Sequence, residues 1–214
     1  MAGRFLLSWS PYIKHIVMSP DHTNILKKLT NHFGAVPSLL WDPNEEGPQV
    51  GCAFFSAEKT GRPWGTLATY GMSLTPMVMD DRAEDTDTPR AEMIAYVNED
   101  ETELDDIANL LRWAGSFPFL QEPPTFLGWG HTIGVGKLFK DSSLTTLLTL
   151  TSIVKADNEP VFQIENEDVS FIWVTFLTDA EYALKKEKGV NDILDLFGEH
   201  KHPITLDRAR KSYV

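Results

Sequence analysis

The sequence predicts an α+β fold: two mixed α/β lobes whose central sheets are flanked by helices. Three observations lead there. Segments of strand character precede a long amphipathic helix, and after a glycine-rich stretch strands and then helices return. No internal repeat or low-complexity tract interrupts that order. The chain has 214 residues, 42% of them hydrophobic and 23% charged, enough to bury a substantial core.

The elements follow in order. "SPDHTNILKKLTNHFG" reads as a helix, with Ser19 as cap, Pro20 in the first turn and Gly34 at its end. Ile25, Leu26, Leu29 and Phe33 share one face. The loop "WDPNEEGPQ" leads to two strands, "VGCAFFSA" and "TLATYGMS", and "RAEMIAYVN" gives a third beyond an acidic loop. "DETELDDIANLLRWAGSF" is the clearest helix: Leu104, Ile107, Ala108 and Leu111 form a stripe, and acids crowd its first turns. Trp113 lies opposite that stripe, where packing against a second layer is the expectation and exposure to a partner the alternative.

The second half offers a strand at "LTTLLTLTSIV" and a hairpin in "PVFQIENEDVSFIWVTFL" that turns near Asn166–Asp168. "TDAEYALKKEKG" carries a capping box, Thr178 with Glu181, and stops at Gly189. "VNDILDLFGEHKH" is a further short helix. The boundaries expected are an N-terminal segment 1–18, a lobe 19–127, a glycine-rich crossing 128–136 and a lobe 137–214, the whole forming one domain over 19–210.

Composition narrows the function. With Cys52 as the sole cysteine no intrachain disulfide can form, and a reducing cytoplasm is expected. The N-terminal apolar run is too short for a signal peptide, and "LTTLLTLTSIV" is about half a membrane span, so no membrane partner is expected. From Asp80 to Asp106 there are twelve acids against Arg82 and Arg90, which places −10 of the net −12 in one region. Direct nucleic-acid binding needs clustered Lys and Arg, so it is not expected. An acidic face suits a basic protein partner; a solvated loop and helix start would explain the same charge.

The motifs carry little chemistry. "GWGHTIGVG" places Gly128, Gly130, Gly134 and Gly136 around His131, but lacks the G-x-G-x-x-G spacing, and Lys137 is not followed by Ser or Thr. There is no G-x-S-x-G, and Cys52 lies within an apolar strand, which marks it as core. His200 and His202 are the only close histidine pair, and the acids after Asp80 do not match a calcium loop. No metal, cofactor or catalytic residue is assigned.

The order of segments adds more. "TYGMS", then "RAEMIAYV", a helix with "LLRWA", "GWGHTI", and finally "FIWVTFLTDAEYALKKEKGVNDILDLF" with "TLDRAR" together resemble the Suppressor of fused (SUFU) family, from about Ile25 to Arg210. The resemblance implies a SUFU-like two-lobed fold that binds proteins and catalyses nothing. In animals the family sequesters zinc-finger transcription factors of Hedgehog signalling, clamping an extended segment between the lobes by strand addition. Animal members carry an acid just before the histidine that corresponds to His131; here that residue is Gly130. Compact members like this one resemble the bacterial branch, many of which look like immunity proteins of polymorphic toxin systems.

The resulting expectation is a protein-binding module that neutralises a basic partner, foremost as an immunity protein. The candidate surface is Tyr70, Gly71, Met72 and Ser73, the acids Asp85, Asp87, Glu99 and Glu101, and Trp113, Trp129 and His131. Gly128, Gly130, Gly134 and Gly136 are the candidate hinge. His131 reads first as a structural hydrogen-bonding residue, with partner contact and catalysis as alternatives. Two other functions stay open: a regulator that sequesters an endogenous protein, and a hydrolase using His131 with a nearby carboxylate.

Overall fold

The computed structural model describes residues 18–214 except 46, 86, 99 and 138. The elements are α1 (Pro20–Phe33), β1 (Leu39–Trp41), β2 (Gly51–Phe55), α2 (Ala57–Thr60), β3 (Gly65–Tyr70), β4 (Arg90–Val97) and α3 (Leu104–Leu120) in the first half. The second half supplies β5 (Thr132–Gly134), β6 (Leu144–Thr151), α4 (Lys155–Asn158), β7 (Phe162–Ile164), β8 (Glu167–Thr178), α5 (Asp179–Lys188) and α6 (Val190–Glu199).

All the strands join in one mixed sheet of order β1-β2-β3-β4-β8-β6-β5, with β7 also paired to β8. The seam between the halves is the parallel pair β4–β8, running from Arg90 opposite Val169 to Ile94 opposite Trp173. Both faces of this sheet are covered. Cys52, Phe54, Met93, Ala95 and Val97 pack toward α3, while Ala53, Phe55, Ile94 and Tyr96 pack in the other core cluster, with residues of α1 and α6. Burial on both faces explains why these strands read as nearly continuous apolar runs.

The local signals act as expected at several ends. Ser19 accepts the His22 N–H, and Gly34 closes α1 at φ 67°. Thr178 and Glu181 form a full capping box on α5. The β7–β8 hairpin turns at Glu165–Asn166, slightly earlier than the expected Asn166–Asp168. Both turn residues have positive φ, as a tight two-residue turn requires.

Two further strands, β1 and β5, lie at the two edges of the sheet. Among the described residues no helix is long and apolar enough to cross a membrane. The expected segment 1–18 lies outside the described residues except for Met18, which packs against the α1 side of the core.

Candidate functional site

A cleft of about 350 Å³ opens where the two halves meet, at the start of β4 and β8. One wall is the loop before β4, with Asp85, Asp87 and Thr88; another is Leu127, Gly128 and Trp129. The far side is formed by Leu150 and Thr151 at the end of β6, Asn158 and Pro160 at α4, and Asp168, Ser170, Phe171 and Ile172 at the start of β8. Its apolar lining belongs to both core clusters, so the cleft lies at the end of the sheet rather than on one face.

Hydrogen bonds build the near walls. The Asp87 carboxylate accepts the Glu84 N–H at 2.9 Å and the Trp129 N–H at 2.8 Å. A Cβ on residue 128 would sit 2.4 Å from the Asp87 carboxyl carbon, so the close approach requires glycine. On the other side the Thr149 hydroxyl donates to the carbonyl oxygens of Gly128 and His131, and the Gly130 N–H donates to the Thr149 carbonyl at 2.8 Å. Gly130 has φ 75° and lies against Val190 of α6. The glycine-rich stretch is thus held between an acidic loop and β6. Gly134 lies in β5 and Gly136 beyond it at φ 64°, and neither lines the cleft.

The cleft is acidic. Asp85 and Asp168 are exposed, Asp87 is half-buried, and among the described lining residues there is no lysine or arginine. The nearby Arg90 is fully engaged: its guanidinium is buried, donates to the Ser73 and Leu74 carbonyls at 2.9 and 3.0 Å, and pairs with Glu165 and Glu167. Next to the charges stand Leu127, Leu150, Phe171 and Ile172. This combination suits a segment that offers both a cationic group and an apolar one.

His131 is half-buried beside this wall, its ring 4.7 Å from that of Phe126. Burial holds its pKa below the ordinary histidine value, with the nearby Asp87 opposing the shift. Its backbone is tied to Gly128 and Thr149. Among the described residues no cluster of His, Cys, Asp and Glu could hold a metal ion. His200 stacks on Tyr213 and His202 on Phe197. Cys52 is buried in β2, and that burial pushes its thiol pKa up.

The structure brings Asp85, Asp87, Gly128 and Trp129 together and separates the other candidates. Tyr70, Gly71, Met72 and Ser73 are buried, which corrects their placement on the binding surface. The reason is Glu92, fully buried in β4, whose carboxylate accepts from the Thr69 hydroxyl, the Gly71 and Ser73 N–H groups and the Ser73 hydroxyl. Burial raises the pKa of Glu92, the four hydrogen bonds opposing it.

The acidic stretch does not form one face. Glu92 is core, Asp80 pairs with Arg82, and Asp105 accepts the Trp41 indole N–H. Glu101 is 6% exposed in its side chain and paired with Arg208 at 2.8 Å, and Glu103 is paired with the same arginine. Glu99 lies outside the described residues. Trp113 is 44% exposed and meets Phe117 edge to face at 5.9 Å, which corrects the expected second-layer packing. It does not line the cleft.

The cleft residues from β6, α4 and β8, Asp168 and Phe171 among them, escaped the sequence reading, as did Thr149, which anchors the glycine stretch from outside the lining. Thr149 did carry a signal, since it is a polar residue inside an apolar strand and needs a hydrogen-bond partner when buried.

Similar proteins have this architecture. A suppressor of fused homolog from Neisseria gonorrhoeae FA 1090 superposes with a TM-score of 0.60 at 16% identity, covering 91% of this chain and 97% of the other. A chain of the Sufu–Fu complex gives 0.62 at 17% identity, covering 91% and 92%. Drosophila Suppressor of Fused gives 0.55 at 15% identity, and the match covers 91% of this chain but 51% of that one. No curated protein matches the sequence. The sequence model of the Suppressor of fused protein (SUFU) family matches residues 48–211, more than half of the chain. This chain belongs to the Suppressor of fused family.

Proposed function

We propose that this protein is a non-catalytic binding module that holds a protein partner by receiving a basic, apolar segment in the cleft between its halves. The observation that carries this reading is the cleft itself, where exposed Asp85 and Asp168 stand beside apolar walls with no cation among the described lining residues. A family relative solved as the Sufu–Fu complex supports partner binding as the mode of action. Against a hydrolytic role for His131 stands its setting: the ring packs on Phe126, and among the described residues no hydrogen bond joins it to a carboxylate. A general base of that kind is oriented by such a bond.

The finer reading is an immunity protein that neutralises a basic toxin domain. The net charge of −12 supports it, because an acidic inhibitor steers onto a cationic enzyme and covers it. A cytoplasmic location follows from that role. The test is growth rescue and capture. Co-expression with a basic toxin domain that the protein captures should restore growth, and the Asp85→Lys/Asp168→Lys variant should lose both rescue and capture. Rescue by the variant equal to that of the unaltered protein would contradict the cleft.

A further inference from the structure

A second polar cluster crosses the same seam. Asp157, the third residue of α4, is 1% exposed and accepts four hydrogen bonds from three elements of the first half. Arg62, after α2, donates to both of its oxygens at 2.6 and 2.9 Å. His32 of α1 donates at 2.7 Å, and the Tyr96 hydroxyl of β4 at 2.7 Å. Ser152, at the end of β6, lies 2.6 Å from the Tyr96 hydroxyl and also accepts the Val154 N–H.

These partners are 61 to 125 residues away in sequence, so the cluster ties the β6–β7 connection to the first half. Val154 and Val161 pack on the core at its two ends, and the network supplies the polar anchor between them. α4 is a single turn of four residues, too short to be stable alone. Its last residue, Asn158, and nearby Pro160 form a wall of the cleft. His32 also packs edge-on against Phe171, which lines the cleft too, with ring centroids 5.3 Å apart.

We infer that the Arg62–Asp157–Tyr96–His32 network is a positioning device that fixes the α4 wall and so sets the width of the binding cleft. The inference rests on the cleft being the binding site, but the network's action on α4 can be measured without a partner. Bidentate geometry suits the task, because a guanidinium fork fixes a carboxylate in direction as well as distance. A lysine in place of Arg62 would supply the charge without that constraint.

The experiment is hydrogen–deuterium exchange on the full chain alone, comparing Tyr96→Phe, Asp157→Asn and Arg62→Lys with the unaltered protein. Ile193→Val in α6 is the reference for general destabilisation. Network variants should exchange at least tenfold faster over residues 152–162, with β2 and β3 unchanged. Tyr96→Phe removes one hydroxyl, so it remains informative if Asp157→Asn fails to fold. Unchanged exchange over 152–162, or acceleration spread evenly as in Ile193→Val, would overturn the positioning role. Accelerated exchange with undiminished partner capture would keep the network's hold on α4 but overturn its proposed link to binding, whereas lost capture in Asp85→Lys/Asp168→Lys with unchanged exchange in the network variants would keep the cleft as the binding site and overturn the network's positioning role.

Discussion

The carboxylate of Asp87 accepts the backbone N–H of Trp129 at 2.8 Å, joining residues 42 positions apart on two walls of one cleft. The contact turns a run of acids and a run of glycines, both weak signals alone, into one piece of architecture. It also explains why Gly128 must be glycine, since a methyl group there would overlap the same carboxylate.

Gly128→Ala should therefore destabilise the protein by about 1–3 kcal/mol, the usual cost of overpacking. Gly134→Ala, where an added Cβ meets nothing within 4 Å, should cost far less. Urea midpoints of the two variants check the contrast.

Glu92 predicts a difference between two substitutions. Glu92→Gln keeps an oxygen for the Gly71 and Ser73 donors and removes a charge that burial disfavours, so stability at pH 7 should hold or rise. Glu92→Ala strands those buried donors and should cost about 3 kcal/mol or more. Thermal unfolding of both variants decides it.

Acid stability should depend on Asp157. Burial alone would raise its pKa, but hydrogen bonds from His32, Arg62 and Tyr96 outweigh that and hold it at about 2, well below the ordinary aspartate value. A depressed carboxylate pKa contributes stability above the unfolded value and loses it as pH falls through the folded one. The loss between pH 5 and 2 should be about 2 kcal/mol from this group. Glu181, held down against its burial by Arg210 and the Thr178 and Tyr213 N–H groups, adds in the same direction. Asp157→Asn should be less stable at pH 7 and show a shallower acid slope in urea titrations.

Trp113 is an exposed aromatic outside the cleft. Trp113→Ala should cost no more than about 1 kcal/mol in stability, in the range of surface substitutions with partial packing. It should leave partner capture intact. Loss of capture in a stable Trp113→Ala protein would move the binding surface to α3.

Much of the fold was legible because periodicity and caps are local. The Leu104–Ile107–Ala108–Leu111 stripe and the Thr178–Glu181 capping box describe α3 and α5 without tertiary information. β1 and β5 were not legible, because three residues cannot display a period and neither has the tight turn that reveals β7 beside β8. The site was legible only in part. Asp85, Asp87, Gly128 and Trp129 stand out by composition, but nothing local distinguishes an acid that faces a cleft from Glu92 in the core or Glu101 beneath Arg208. Only the parallel pairing of β4 with β8 decides which acids meet. Asp157 was hidden for the same reason: its partners come from three distant segments.

The most direct test of the account is the salt dependence of binding between the purified protein and its captured partner. The unaltered chain is compared with Asp85→Asn/Asp168→Asn and with a control that removes two exposed charges from α6, Asp195→Asn/Glu199→Gln. The account predicts at least tenfold weaker binding and a flatter salt slope for the cleft variant alone. Equal losses in both variants would reduce the effect to net charge, and no loss in the cleft variant would contradict the cleft as the binding site.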